Sequence, residues 1–339
     1  MAETDGELVG CMEVWGGNQP VDSGVIMAGL DAWVFNQPFG ESQSGGDVYY
    51  VSSCGTGRIT RLFVADVTGH GAVVARTSAT LRTLMQQHVN HLDQGRFLRA
   101  LNRQFASLVE MGCFATALVT TFFAPTNYLT VCNAGHPPPL LYRVRTKRWA
   151  LLEQRSEAPP PASRSDAPST ARPGEIANLP LGIMDLSNYD QFGLSLHVGD
   201  LVLCYTDYLV ESQDSEGRML GKQGLLDIVR TLDASRPELL IRQLRGAIRS
   251  YANDKAPQDD VTILLFRPNG MAPRVPWAQR VRAPLRLAGA LLRSLGPKGP
   301  PMPWPDLSVP NIGGAMLGSL NRRWGMSRQP YEPWEGQEG

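Results

Sequence analysis

Five aspartates carry the strongest chemical signal in this chain of 339 residues. Asp47 closes "GGD", Asp66 opens "DVTGHG", Asp207 follows "LVLCYT", and Asp259 and Asp260 stand directly before "VTILLF". Residues 48–52 and 59–65 read as strands joined by the glycine-bearing "CGTGR", hence as an antiparallel hairpin. In such a pair the start of one strand and the end of its partner lie at the same edge, which makes Asp47 and Asp66 neighbours. If "LVLCY" and "VTILLF" also pair antiparallel, Asp207, Asp259 and Asp260 converge on one patch.

Neighbouring carboxylates repel by roughly 1 to 4 kcal/mol per close pair, depending on the effective dielectric. Either they take up protons or a hard divalent cation binds through their oxygens. These motifs hold no lysine or arginine and lack the His/Cys mixture of a zinc site, so Mg²⁺ or Mn²⁺ is expected. Two such ions, about 3.5 to 4 Å apart, share a bridging water, lower its pKa and hold a phosphate oxygen. Each aspartate taken singly reads more readily as a turn or capping residue. Only the set points to metal.

The elements that must position these acids follow from periodicity. Leu81, Leu84, Met85 and His88 recur at helical spacing, as do Phe97, Leu98, Leu101, Phe105 and Leu108. "FATALVTTFF" and "YLTVCNA" flank one turn, "LLYRVR" and "WALLE" flank another, and two more helices fall around 225–232 and 239–251. Residues 11–38 alternate like strands that complete a sheet. Hairpins separated by helix pairs, without βαβ units, predict an α+β fold of antiparallel sheets covered by helices.

Composition sets the bounds. Lysine plus arginine and aspartate plus glutamate are both 32, so net charge gives no reason to expect a nucleic-acid partner. The 5 cysteines lie mostly in apolar runs without a C-x-x-C pair, which fits buried thiols in a reducing compartment, read as the cytoplasm. The first thirty residues lack a basic segment followed by an apolar one, and no run is long enough to span a membrane. Residues 154–175, rich in proline, alanine and serine, are expected to form a mobile surface loop. The globular part is read as 1–268, and 269–339 as a basic, proline-rich, disordered tail. Within that tail, 274–298 carries Arg274, Arg280, Arg282, Arg286, Arg293 and Lys298 without an acid, a pattern for contact with a membrane surface or a partner, although a solvated tail explains it equally.

"GGD", "DVTGHG", "FATAL", "NAGHPPPLL", "LPLGI", "GDLVLCYTD" and "DDVT", in that order over about residues 45–267, resemble the motif set of bacterial metal-dependent (PPM-type) serine/threonine protein phosphatases of the stage II sporulation protein E branch. The resemblance implies a central antiparallel β-sandwich flanked by helices on both faces, with two Mn²⁺ or Mg²⁺ ions at one edge. It implies hydrolysis of phosphoserine or phosphothreonine by attack of a metal-bridged water, without a phosphoenzyme. Carried over by position, Asp47, Asp66, Asp207 and Asp259 hold the metals, the Val67 carbonyl is an additional ligand, and Asp260 stands behind them. His70 is the candidate general acid, for which an unperturbed pKa near 6.5 is suited; its other reading is to fix the glycine turn. His136, Thr116 and Thr206 are read as structural neighbours. The implied partner is a phosphoprotein, in such pathways an anti-sigma-factor antagonist. One departure stands out, because Tyr208 occupies the place of a usual glycine in "TDG". If that position needs φ > 0, tyrosine strains it, and the second reading is a weak or inactive pseudophosphatase that binds a phosphoprotein.

Overall fold

The computed structural model describes residues 7–8, 14–40, 42–54, 58–69, 72–88, 93–109, 112–153, 177–184 and 187–271. The 154–175 loop, the basic 274–298 segment and His70 lie outside the described residues. In chain order the strands are β1 (Glu7–Leu8), β2 (Val14–Gly17), β3 (Val21–Met27), β4 (Leu30–Gln37), β5 (Val48–Cys54) and β6 (Ile59–Val67). After helices α1 (Ala72–His88) and α2 (Gln94–Leu108) come β7 (Ala115–Phe123), β8 (Tyr128–Ala134), β9 (Leu140–Arg143), β10 (Arg148–Leu151), β11 (Gln191–Ser195) and β12 (Leu201–Tyr205). Helices α3 (Tyr208–Glu211), α4 (Gly221–Thr231) and α5 (Pro237–Tyr251) then lead to β13 (Val261–Pro268).

Two sheets face each other. A seven-stranded sheet runs β1-β3-β4-β13-β12-β9-β10 and a six-stranded sheet β11-β8-β7-β6-β5-β2. The expected antiparallel pairing holds for β5 with β6 and for β12 with β13. It fails at one margin, where β1 runs parallel to β3. The reason is the path of the chain: β2 between them pairs with β5 in the other sheet, so the chain crosses the sandwich and returns in the same direction.

Alternation assigns each side chain a layer. Leu62 and Val64 of β6 meet Val202 and Cys204 of β12 between the sheets. Their neighbours Phe63, Ala65 and Val67 face α1 and α2, where Leu81, Phe97, Leu98 and Leu101 cover them. On the opposite outer face Leu201, Leu203 and Tyr205 pack on Leu225, Val229, Leu240 and Leu244 of α4 and α5. Strands buried on both faces need no polar alternation, which explains the unbroken apolar runs "LVLCY" and "ILLF". Each such leucine contributes about 1.5–3 kcal/mol by leaving water.

The helices are cut to fit. α2 starts at Asp93, whose carboxylate accepts from the Arg96 amide at 2.7 Å, and α5 starts with Pro237 in its first turn. α5 buries Leu240, Ile241, Leu244 and Ile248 on one stripe. Cys132 and Cys204 are buried, and burial pushes both thiols up, so they stay protonated and inert. Among the described residues no helix is long and apolar enough to cross a membrane.

Candidate metal centre

Register brings the acids to one edge. Val48 pairs with Ala65, so Asp47 and Asp66 lie at the open end of the β5–β6 hairpin. Tyr205 pairs with Ile263, which places Asp207 and the Asp259–Asp260 doublet at the corresponding end of β12 and β13. Polar contacts then join the two sheets. The Thr206 hydroxyl donates to Asp47 Oδ2 at 2.8 Å and accepts from the Thr262 amide at 3.0 Å. Asp260 accepts from the amides of Phe39 at 2.6 Å, Asp47 at 3.2 Å and Gly46.

This clamp explains the glycine pair before Asp47. A Cβ at Gly45 would stand 2.5 Å from both carboxylate oxygens of Asp260, and one at Gly46 would stand 2.8 Å from the Val67 carbonyl oxygen. Neither glycine has positive φ, so both are needed for close approach rather than for an unusual backbone.

Electrostatics set these acids apart from ordinary rim residues. Asp47 is 1% exposed and its carboxyl is held well above the usual range, first by burial and then by Asp66 and Asp260, against hydrogen bonds to Thr262 and Thr206. Burial pushes Asp66 up to about 7, with Asp207, Asp259, Asp260 and Glu211 adding to it. Asp207 rises to about 6 through burial, then Glu211 and Asp259. The two sheets therefore share one field of negative charge. Among the described residues no three His, Cys, Asp or Glu side chains close into a metal cage. Burial and neighbouring acids act on the same carboxylates across the two sheets, a repulsion that a cation would relieve. The donor chemistry fits a hard cation, because the groups are all carboxylates and, among the described residues, the charges acting on the buried Asp47 are other acids.

The remaining sequence candidates separate. Val67 ends β6 beside Asp66, with its carbonyl turned toward Gly46. His136 does not join the acids. Its Nδ1 bonds Thr116 Oγ1 at 2.8 Å, its amide donates to Asn133 Oδ1 at 2.7 Å, and burial lowers it to about 3, so it stays neutral as a turn fastener. Tyr208 corrects the expectation of strain: it opens α3 and is not among the residues with positive φ. Glu211 escaped the sequence reading. It lies one turn after Asp207 on α3 and adds to the field on Asp66 and Asp207; the four-residue offset in "DYLVE" was the signal that could have found it. Thr206 is a neighbour of the site as the sequence reading has it, and its partner is Asp47.

The sequence model of the Stage II sporulation protein E (SpoIIE) family matches residues 56–158 and 155–269. That match takes in Asp66, Asp207, Asp259 and Asp260; Asp47 lies before it. Phosphoserine phosphatase RsbU of Bacillus subtilis (strain 168) is 21% identical over 205 residues, 60% of this chain and 54% of RsbU. The chain thus spans about half the length of that relative. The crystal structure of the RsbU and RsbW domains of a Mycobacterium tuberculosis protein superposes with a TM-score of 0.58 and 25% identity, over 81% of this chain and 72% of that one. The structure of the PP2C phosphatase domain, with a fragment of the regulatory domain, of SpoIIE from Bacillus subtilis superposes at 0.55 with 15% identity, over 76% and 64%. The two-sheet, helix-flanked α+β fold is the one these neighbours share.

Proposed function

The chain belongs to the Stage II sporulation protein E family, and from that premise we propose that it is a metal-dependent phosphatase of phosphoserine and phosphothreonine in proteins, acting in bacterial signalling. The observation that carries the reading is Asp47, a buried carboxylate whose charged neighbours among the described residues are the acids Asp66 and Asp260. Asp47, Asp66, Asp207 and Asp259 would hold two Mn²⁺ or Mg²⁺ ions, with the Val67 carbonyl as a further oxygen. Bound there, the ions would lower the pKa of water enough for it to lose a proton and serve as nucleophile near neutral pH. Asp260 serves from behind, holding the backbone of Gly46 and Asp47 in place. The Thr206 hydroxyl orients Asp47. No serine or cysteine nucleophile is required, so no phosphoenzyme forms.

His70 is assigned the proton delivered to the departing serine oxygen. This role has a kinetic signature. Nitrophenolate leaves without a proton and an alkoxide does not, so His70→Ala should slow a phosphoserine peptide at least tenfold more than p-nitrophenyl phosphate. Equal losses on both substrates would reassign His70 to the fixing of its loop.

The phosphatase domain is taken as 1–268 and the rest as a tail, with a cytoplasmic anti-sigma-factor antagonist as the proposed phosphoprotein. The pseudophosphatase reading is not favoured, because its backbone argument rested on strain at Tyr208, which the helical conformation of α3 removes. The deciding experiment is hydrolysis of p-nitrophenyl phosphate and a phosphoserine peptide with Mn²⁺, Mg²⁺ or EDTA, comparing wild type with Asp207→Asn. Turnover that requires metal and disappears in the variant is expected; folded protein without turnover in any metal would refute the assignment.

A further inference from the structure

A cavity of about 430 Å³ lies between α5, the start of α3 and the β4–β13 pair. Its floor is apolar, made by Phe35, Leu209, Ile248 and Val261, all nearly inaccessible to solvent. Its rim is basic. Arg242 and Arg249 stand seven residues apart on the face of α5 that lines the cavity, and Lys255 follows the helix.

These cations are differently engaged. Arg245, between them, is already committed: its guanidinium lies 3.4 Å from the Phe35 ring centroid and bonds Asp22 at 3.2 Å. Arg249 pairs with Asp254 at 2.9 Å, but both side chains are largely exposed, and such a solvent-screened pair contributes little and yields readily to a better-placed carboxylate. Among the described residues Arg242 has no acidic partner and the Lys255 ammonium reaches only the Asp214 carbonyl, at 3.4 Å. Gly246 leaves the wall open between them, since an added Cβ there meets nothing within 4 Å.

The cavity adjoins the acidic edge through the chain itself. Tyr208 on its wall follows Asp207, and Val261 on its floor follows Asp260. An apolar recess rimmed by under-used cations, next to a centre that takes phosphate, describes one kind of occupant. We propose that this groove seats an acidic segment of the protein substrate, with one apolar side chain in the recess and carboxylates against Arg242, Arg249 and Lys255, so that the phosphorylated residue is held at the acidic edge. The proposal rests on the phosphatase reading and adds a substrate class to it: phosphoproteins whose phosphorylated residue has an acidic, singly apolar stretch nearby. Charge complementarity makes the contact sensitive to salt.

The test uses the full chain and a fluorescein-labelled, unphosphorylated peptide in which one leucine is flanked by glutamates, read by fluorescence anisotropy. Saturable binding is expected, weakening at least tenfold in Arg242→Glu and again in Gly246→Leu, which fills the recess at a position where leucine favours the helix. The surface control Arg230→Glu, on α4 and paired with Asp227 at 2.9 Å, should leave the affinity unchanged. Binding that is absent, or that falls equally in Arg230→Glu, overturns the proposal. Hydrolysis of p-nitrophenyl phosphate by the same preparation reports separately on the chemistry. Turnover without peptide binding defeats the docking groove alone, whereas peptide binding without turnover defeats the phosphatase reading alone.

Discussion

Asp66 faces acids from three directions: Asp47 on its own sheet, Asp207, Asp259 and Asp260 from the other, and Glu211 from α3. Replacing it by asparagine removes one charge from a crowded field and one oxygen donor from the proposed metal set. Asp66→Asn should therefore lower metal-dependent turnover by at least 100-fold while leaving the metal-free protein as stable as wild type or a few degrees more so. A drop in Tm together with activity would mean that Asp66 is structural instead. The direction of the pH effect follows from the raised carboxyl. Folded Asp66 holds its proton up to about 7 against an ordinary 3.8, so between those values the folded state binds more protons than the unfolded state. Stability of the EDTA-treated protein is thus greatest at the acidic end of that window and declines as pH rises through it. Mn²⁺ should restore Tm above about pH 7 and bind progressively more weakly below it, because protons and metal compete for the same oxygens. Thermal melts across that window, with and without Mn²⁺, would check both trends.

At the scale of the element, the "GGD" segment and α3 make separate predictions. Asp260 ties Phe39, Gly46 and Asp47 to the start of β13, and a Cβ on Gly45 would collide with its carboxylate. Gly45→Ala should displace that clamp and cost about 1–3 kcal/mol, the usual effect of leaving buried polar groups unpaired, with a matching loss of metal affinity. Calorimetry of the variant measures both. Tyr208→Gly tests the opposite expectation. Because Tyr208 already has helical backbone, glycine should destabilise α3 by about 0.5 kcal/mol and should not raise turnover; a gain in rate would restore the idea that tyrosine impairs the site. Much of this level was legible in sequence. The hairpin of β5 and β6 and the helices α1, α2, α4 and α5 announce themselves through turn residues and apolar period. β11 was not foreseen, since it follows a long segment without periodic signal and gains its place only by pairing with β8. The parallel seat of β1 beside β3 was equally hidden, because it depends on β2 crossing to the other sheet.

For the molecule as a whole, two sheets and their helix layers form three apolar layers, one between the sheets and one beneath each helix pair. Among the described residues these layers are complete by Pro268, and Asn269 still bonds the Met27 carbonyl and Asp31. A chain ended after Met271 should accordingly keep its Tm within a few degrees and retain metal-dependent hydrolysis of p-nitrophenyl phosphate; loss of the fold would move the domain boundary into the tail. The sequence by itself determined the acids, their place at strand ends, the glycines beside Asp47 and the two-sided burial of the strands, because these depend on residue type and short-range period. It also supported the family resemblance, through short motifs that follow one another in order over about residues 45–267. Only the tertiary structure decided that Thr206 holds Asp47, that Asp260 grips the "GGD" backbone, that Glu211 enters the same field and that Arg242 and Arg249 overlook an apolar recess beside it. The physical reason is distance along the chain. Asp47 and Thr206 are 159 residues apart and Gly46 and Asp260 are 214 apart, and no local pattern encodes contacts that exist only once the two sheets have packed.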